Sequence, residues 1–89
     1  MAIRARMSDE DLHYYTVKAQ ELFGARASKA FQLGTQAAIT IDGLTLVHDD
    51  DSDAFYLVRR YLLIGGTREA DLDIDTTPIY SIGDFEDCA

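Results

Sequence analysis

A chain of 89 residues makes one domain with a modest core. Apolar residues make up 47% and charged residues 27%, a balance that excludes disorder of the whole chain. Sixteen acidic side chains against eight basic ones give a net charge of −8, which disfavours direct contact with nucleic acid or anionic membranes and favours basic partners.

The acid is unevenly placed: residues 37–89 hold twelve of the acids and only three bases, Arg59, Arg60 and Arg68. Cys88 is the single cysteine, so no internal disulfide forms and a reducing, cytoplasmic setting is expected. No apolar run approaches the ~18–20 residues of a membrane span. The opening MAIRARM is basic but has no apolar core of a signal peptide. Residues 1–7 read as a flexible lead or an edge strand.

Ser8 followed three residues later by Asp11 is a helix-capping pattern, and Asp9 and Glu10 suit a first helical turn. Leu12, Tyr15, Ala19, Leu22 and Phe23 then recur at helical spacing. Gly24 ends or bends this helix. Residues 25–33 (ARASKAFQL) again favour helix, with Gly34 as its stop, so the spacing predicts one bent helix or a helix pair over 9–33.

Residues 38–48 give the clearest local signal. Ile39 and Ile41 alternate with Thr40, and Leu44 and Leu46 with Thr45, around Asp42-Gly43. Aspartate and glycine tolerate positive φ, so this reads as a hairpin with a type I′ turn, its isoleucines and leucines on one face and its threonines on the other. Residues 48–66 (HDDDSDAFYLVRRYLLIGG) open on acid, carry the most apolar segment and end on two glycines. That order predicts a central helix capped by Asp51 or Ser52, with Phe55, Val58, Tyr61 and Leu62 as its stripe. Residues 70–75 alternate strictly, predicting a strand with Ala70, Leu72 and Ile74 inward; Ile79, Tyr80 and Ile82 suit a short further strand. Residues 84–89 read as a mobile acidic tail unless Phe85 anchors it. The fold class is therefore α+β, with the helices on one face of a small antiparallel sheet and the other face partly polar.

Catalytic, cofactor and metal motifs are not found. The serines lie in no Gly-x-Ser-x-Gly turn, and one cysteine with two separated histidines makes no zinc site. A calcium loop starting at Asp49 fails at its glycine and glutamate positions, which hold Ala54 and Arg60. His48 beside aspartates suits a local structural pair better than a general base, so an enzyme with His48 at its site ranks last.

The features that suit a partner are acidic. Asp49, Asp50, Asp51 and Asp53 exceed what capping one helix needs. Asp71, Asp73 and Asp75 on a strand would stand about 6.6–6.8 Å apart on one face, close to the spacing of phosphates along a DNA strand. Tyr14, Tyr56 and Tyr80 are contact candidates, and Tyr15 and Tyr61 suit the core. In size and charge, and in no motif, the chain resembles small acidic phage-encoded inhibitors such as anti-CRISPR and anti-restriction proteins, some of which imitate DNA. The expected function is that of a non-enzymatic binding protein, an inhibitor that occupies a basic nucleic-acid-binding surface through these seven aspartates and Tyr56. The alternative is a homo-oligomeric structural or accessory protein, a dimer through the surplus apolar surface of the central helix, with acidity serving solubility.

Overall fold

A computed structural model describes residues 6–63 and 70–88, with side chains over 6–60 and 72–88. The Gly65-Gly66 stop, the first five residues of the lead, and the expected roles of the Tyr61 and Leu62 side chains lie outside what it describes.

The first helix, α1 (Asp9–Phe23), begins where its capping pattern requires. Ser8 Oγ accepts from the Asp11 amide at 3.1 Å, and the Asp11 carboxylate accepts from the Ser8 amide. Ala19 and Phe23 are its buried residues, with Leu12, Tyr15 and Leu22 packed around them, as the helical spacing predicts. Gly24 then takes φ 73° and ψ −159°, a region that almost only glycine occupies, and turns the chain out of the helix.

The second half of the expected helix pair does not form. After a 3₁₀ turn over Gly24–Arg26, Ala27 bridges Ile41 and the Ser28 amide donates to Thr40 O at 2.9 Å. The Ala30 amide donates to Thr16 Oγ1 of α1 at 2.8 Å. These donors satisfy a strand edge and a helix flank instead of a helical ladder, and tertiary contacts override a modest local propensity. The segment continues into strand β1 (Phe31–Leu33), which turns through Gly34 into β2 (Gln36–Ile41).

Strands β2 and β3 (Leu44–Asp49) form the predicted hairpin. Ile41 opposes Leu44 across Asp42 (φ 52°) and Gly43 (φ 80°), the positive angles of the expected turn. Arg26 pairs with Asp42 at the turn, and its guanidinium also lies 5.9 Å from the Phe85 ring centre.

The expected central helix is a strand. Residues Ala54–Leu63 form β4, paired along β3 with His48 opposite Phe55, Val47 opposite Tyr56 and Leu46 opposite Leu57. Phe55 and Leu57 face α1, while Tyr56 and Val58 pack on the other side. A strand apolar on both faces loses its alternation, and its continuous hydrophobicity imitates a buried helix. The aspartates before it form the β3–β4 loop, not a cap.

Strand β5 (Ala70–Ile74) follows the strand prediction, and Leu72 and Ile74 are half-buried. It pairs with β4 across a bulge: Val58 opposes Ile74 and Arg60 opposes Asp73, leaving Arg59 as the extra residue. The meander order β1-β2-β3-β4-β5 is wholly antiparallel. In place of a further strand, Ile79 makes a single bridge to Phe55, and residues Ile82–Cys88 form helix α2. Phe85 anchors that helix in the core.

Both helices pack on one sheet face, where Phe23, Ile39, Ile41, Leu46, Phe55 and Phe85 belong to the main core. The opposite face holds a smaller cluster of Leu33, Ala38, Val47 and Val58, flanked by Tyr56, Leu72 and Ile74. The α+β reading therefore holds, with five strands and without a central helix. No helix among the described residues is long and apolar enough to cross a membrane.

Phe85 is the chief buried side chain of α2, so Phe85→Ala is expected to cost about 3–5 kcal/mol. That is a large share of the ~5–13 kcal/mol available to a domain of this size. Urea unfolding should show a lowered midpoint, and far-ultraviolet circular dichroism should show loss of helix beyond noise.

Candidate functional site

The four clustered aspartates separate into two settings because side chains alternate along β3. His48, the penultimate residue of β3, points to the α1 side and is 4% exposed. Its Nδ1 lies 3.0 Å from Asp50 Oδ1 and its Nε2 2.9 Å from Asp53 Oδ1. Each ring nitrogen thus faces a carboxylate of the loop. The ring is sandwiched between Tyr15 and Phe55, each with centroids 5.0 Å away.

Helix α1 closes the arrangement. Tyr15 Oη donates to Asp50 Oδ1 at 2.7 Å, and Lys18 Nζ lies 3.0 Å from Asp53 Oδ1. The Lys18 ammonium, then His48, hold the Asp53 carboxyl below its ordinary range, and Asp53 in turn raises Lys18. These contacts also hold Asp53 at a φ of 54°, a conformation that aspartate tolerates better than most residues. Burial, then the hydrogen bond to Asp50, pushes the Tyr15 phenol up to about 12. With its ring buried and both nitrogens committed, His48 acts as a clamp between the loop and α1.

Asp49 faces the other way. Its Oδ2 accepts from the Ser52 amide at 3.2 Å and the Ser52 hydroxyl at 2.7 Å, which holds its carboxyl below the ordinary range. Ser52 Oγ also lies 3.3 Å from Tyr56 Oη. Asp75 arrives at the same place from the far side of the sheet. It stands one residue beyond β5, where its Oδ1 accepts from the Thr77 amide and its Oδ2 meets Arg59. The Arg59 guanidinium is the main reason that its carboxyl is also lowered.

Asp49, Tyr56 and Asp75, with Gln36, Val47 and Ile74, line a concavity of about 310 Å³ on the sheet face away from the helices, with Thr76 at its rim. The Gln36 amide donates to His48 O at 3.3 Å, linking this concavity to the clamp on the opposite face. Among the described residues Asp49 forms no ion pair, whereas Asp53, Asp73 and Asp75 each form one. A larger trough of about 520 Å³ runs beside α1 along Glu10, His13, Tyr14, Val17, Lys18 and Glu21. Its charges are mixed and it gathers none of the expected contact aspartates.

Of the eight expected contact residues, Asp49, Tyr56 and Asp75 meet on one face. Asp50 and Asp53 belong to the clamp, and Asp51 is exposed on the loop. Asp71 stands opposite Leu62 in β5, and Asp73 meets Arg60 at 3.3 Å. Of the expected three-aspartate row, Asp73 and Asp75 each meet an arginine, and the Asp71 side chain lies outside what the structure describes. Tyr14 and Tyr80 are more than half exposed but lie outside this concavity. Sequence reasoning missed Tyr15 and Lys18 as partners of the loop, and Gln36 and Thr76 as lining residues. Tyr15 and Asp50 are 35 positions apart, and no spacing rule joins them.

Among the described residues no three His, Cys, Asp or Glu side chains gather as a metal-binding group. In comparison with known proteins, no family model matches the chain, and no curated protein or solved structure matches it.

The clamp makes two predictions. His48→Ala removes a ring packed between two others and should lower stability by about 2–4 kcal/mol in urea titration. Tyr15, raised in the folded state, favours folding fully below its unfolded value of ~10 and progressively less as pH rises toward 12. Absorbance at about 295 nm should therefore show the late ionisation of Tyr15, and Tyr15→Phe should remove that component.

Proposed function

We propose that this chain is a small non-enzymatic binding protein that engages a basic protein surface, and that its charge selects surfaces built to hold nucleic acid. Occupation of such a surface would make it an inhibitor of a nucleic-acid-handling protein. The observation that carries the reading is the meeting of Asp49, Tyr56 and Asp75 on the sheet face away from the helices. An aromatic ring beside carboxylates, over an apolar floor, suits cationic side chains on an extended partner segment.

The charge supports the same reading. A net −8 speeds encounter with basic partners and suppresses contact with nucleic acid itself. Asp49 and Asp51, which form no ion pair among the described residues, stand together at the β3–β4 loop, within reach of one partner. This reading uses a concave sheet face and not a row of carboxylates at phosphate spacing. Homo-oligomerisation loses the apolar helix on which it was expected, since residues 54–63 are a sheet strand.

Competition supplies the test. An arginine-rich peptide bound to labelled duplex DNA should be stripped from it by this protein at about 0.05 M salt, with the effect fading by about 0.5 M as charges are screened. Fluorescence anisotropy follows the release. Failure to displace the peptide at low salt would overturn the reading.

A further inference from the structure

We infer that the concavity between Asp49 and Asp75 is a receptor for one arginine side chain of a partner protein, its guanidinium lying against Tyr56 and between the two carboxylates. This rests on the binding reading above and names its occupant.

Four observations select arginine. First, the concavity is about 310 Å³, at the lower end of ligand pockets, which suits one long side chain better than a large ligand. Second, its lining is mixed in the way such a side chain is. Half-buried Ile74 suits methylenes, Tyr56 brings an aromatic ring, and Asp49 and Asp75 bring carboxylates. Third, Asp49 is held chiefly by the Ser52 amide and hydroxyl and forms no ion pair among the described residues. A cation there gains an ionic partner without breaking an existing ion pair.

The fourth observation is Arg59. Its Nε and Nη2 both reach Asp75 Oδ2, at 3.2 and 2.6 Å, so the protein already places a guanidinium on one of the two carboxylates. Arg59 is the extra residue of the β4 bulge and its side chain is about half exposed. The Asp75 side chain is 22% exposed, and a pair whose cation side is open to solvent is held weakly enough to exchange with a competing guanidinium. Arg59 is thus an internal stand-in, displaced from Asp75 when the partner's arginine enters.

Isotope-edited nuclear magnetic resonance tests this on the intact chain. The probes are three capped pentapeptides with arginine, lysine or uncharged citrulline between glycines. The arginine peptide should shift the amides of Asp49, Tyr56, Ile74, Asp75 and Thr76 and saturate, and citrulline should not. Tyr56→Ala and Asp49→Asn should weaken binding at least tenfold, while Asp87→Asn on α2 leaves it unchanged. Arg59→Gln should tighten it several-fold by freeing Asp75. Shifts centred elsewhere, equal binding of the lysine peptide, or no gain from Arg59→Gln would overturn the proposal. The mapping on the unaltered protein needs no variant to fold. If the arginine-rich peptide is displaced from DNA but the shifts map elsewhere, this site falls and the wider reading stands. If that peptide is not displaced, the wider reading itself fails.

Discussion

The burial of Phe55 is the constraint on which the rest of the molecule depends. Its ring is fully enclosed, edge-on to Phe23 of α1 at 5.4 Å and to His48 of β3 at 5.0 Å. Its backbone exchanges both hydrogen bonds with Ile79, at 3.1 and 2.7 Å. Three separate parts of the chain are therefore fixed by one position: the first helix, the end of the hairpin, and the segment leading into α2. Phe85 then packs against Phe23 and completes the same core. Once Phe55 faces α1, alternation forces Tyr56 onto the opposite face, and the shape of the concavity follows from the packing of the core.

The same alternation sorts the charges. His48 and Asp49 are neighbours in β3, yet one faces the helix and the other the far side. The loop must then return to β4 within four residues while placing Asp50 and Asp53 around the imidazole. It does so with Asp53 in a positive-φ conformation, and Lys18 and His48 compensate that strain by holding its carboxylate. Two of the loop's aspartates, Asp50 and Asp53, are therefore structural: they secure a buried ring to a helix.

The parts of the fold governed by local chemistry were legible. Ser8 and Asp11 announced the start of α1 and Asp42-Gly43 the hairpin, because each is decided within about four residues, while Gly24 left an end or a bend open. The segment 25–33 was not, because the partners of its backbone, Thr40 and Thr16, lie elsewhere in the chain. Nor was β4, where Phe55 and Leu57 serve one face and Tyr56 and Val58 the other. A strand buried on both sides carries no alternation to read, and the aspartates before it imitate a helix start. The site was legible in composition only. Asp49, Tyr56 and Asp75 were named as contact residues, but which aspartates converge depends on the face each strand presents and on where β5 ends.

The bulge joins these threads. Without an extra residue in β4, Arg59 and Arg60 would stand on opposite faces of a regular strand. With it, Arg60 falls opposite Asp73 and Arg59 reaches Asp75 at the edge of the concavity. Bulges re-aim side chains at some cost to pairing, and they persist where the new direction is used. Here the redirected arginine is the cation that Asp75 meets, and its guanidinium is the chief reason that this carboxyl is lowered. One extra residue in β4 therefore ties the strand by its side chain to the turn that follows β5, just where the backbone ladder ends.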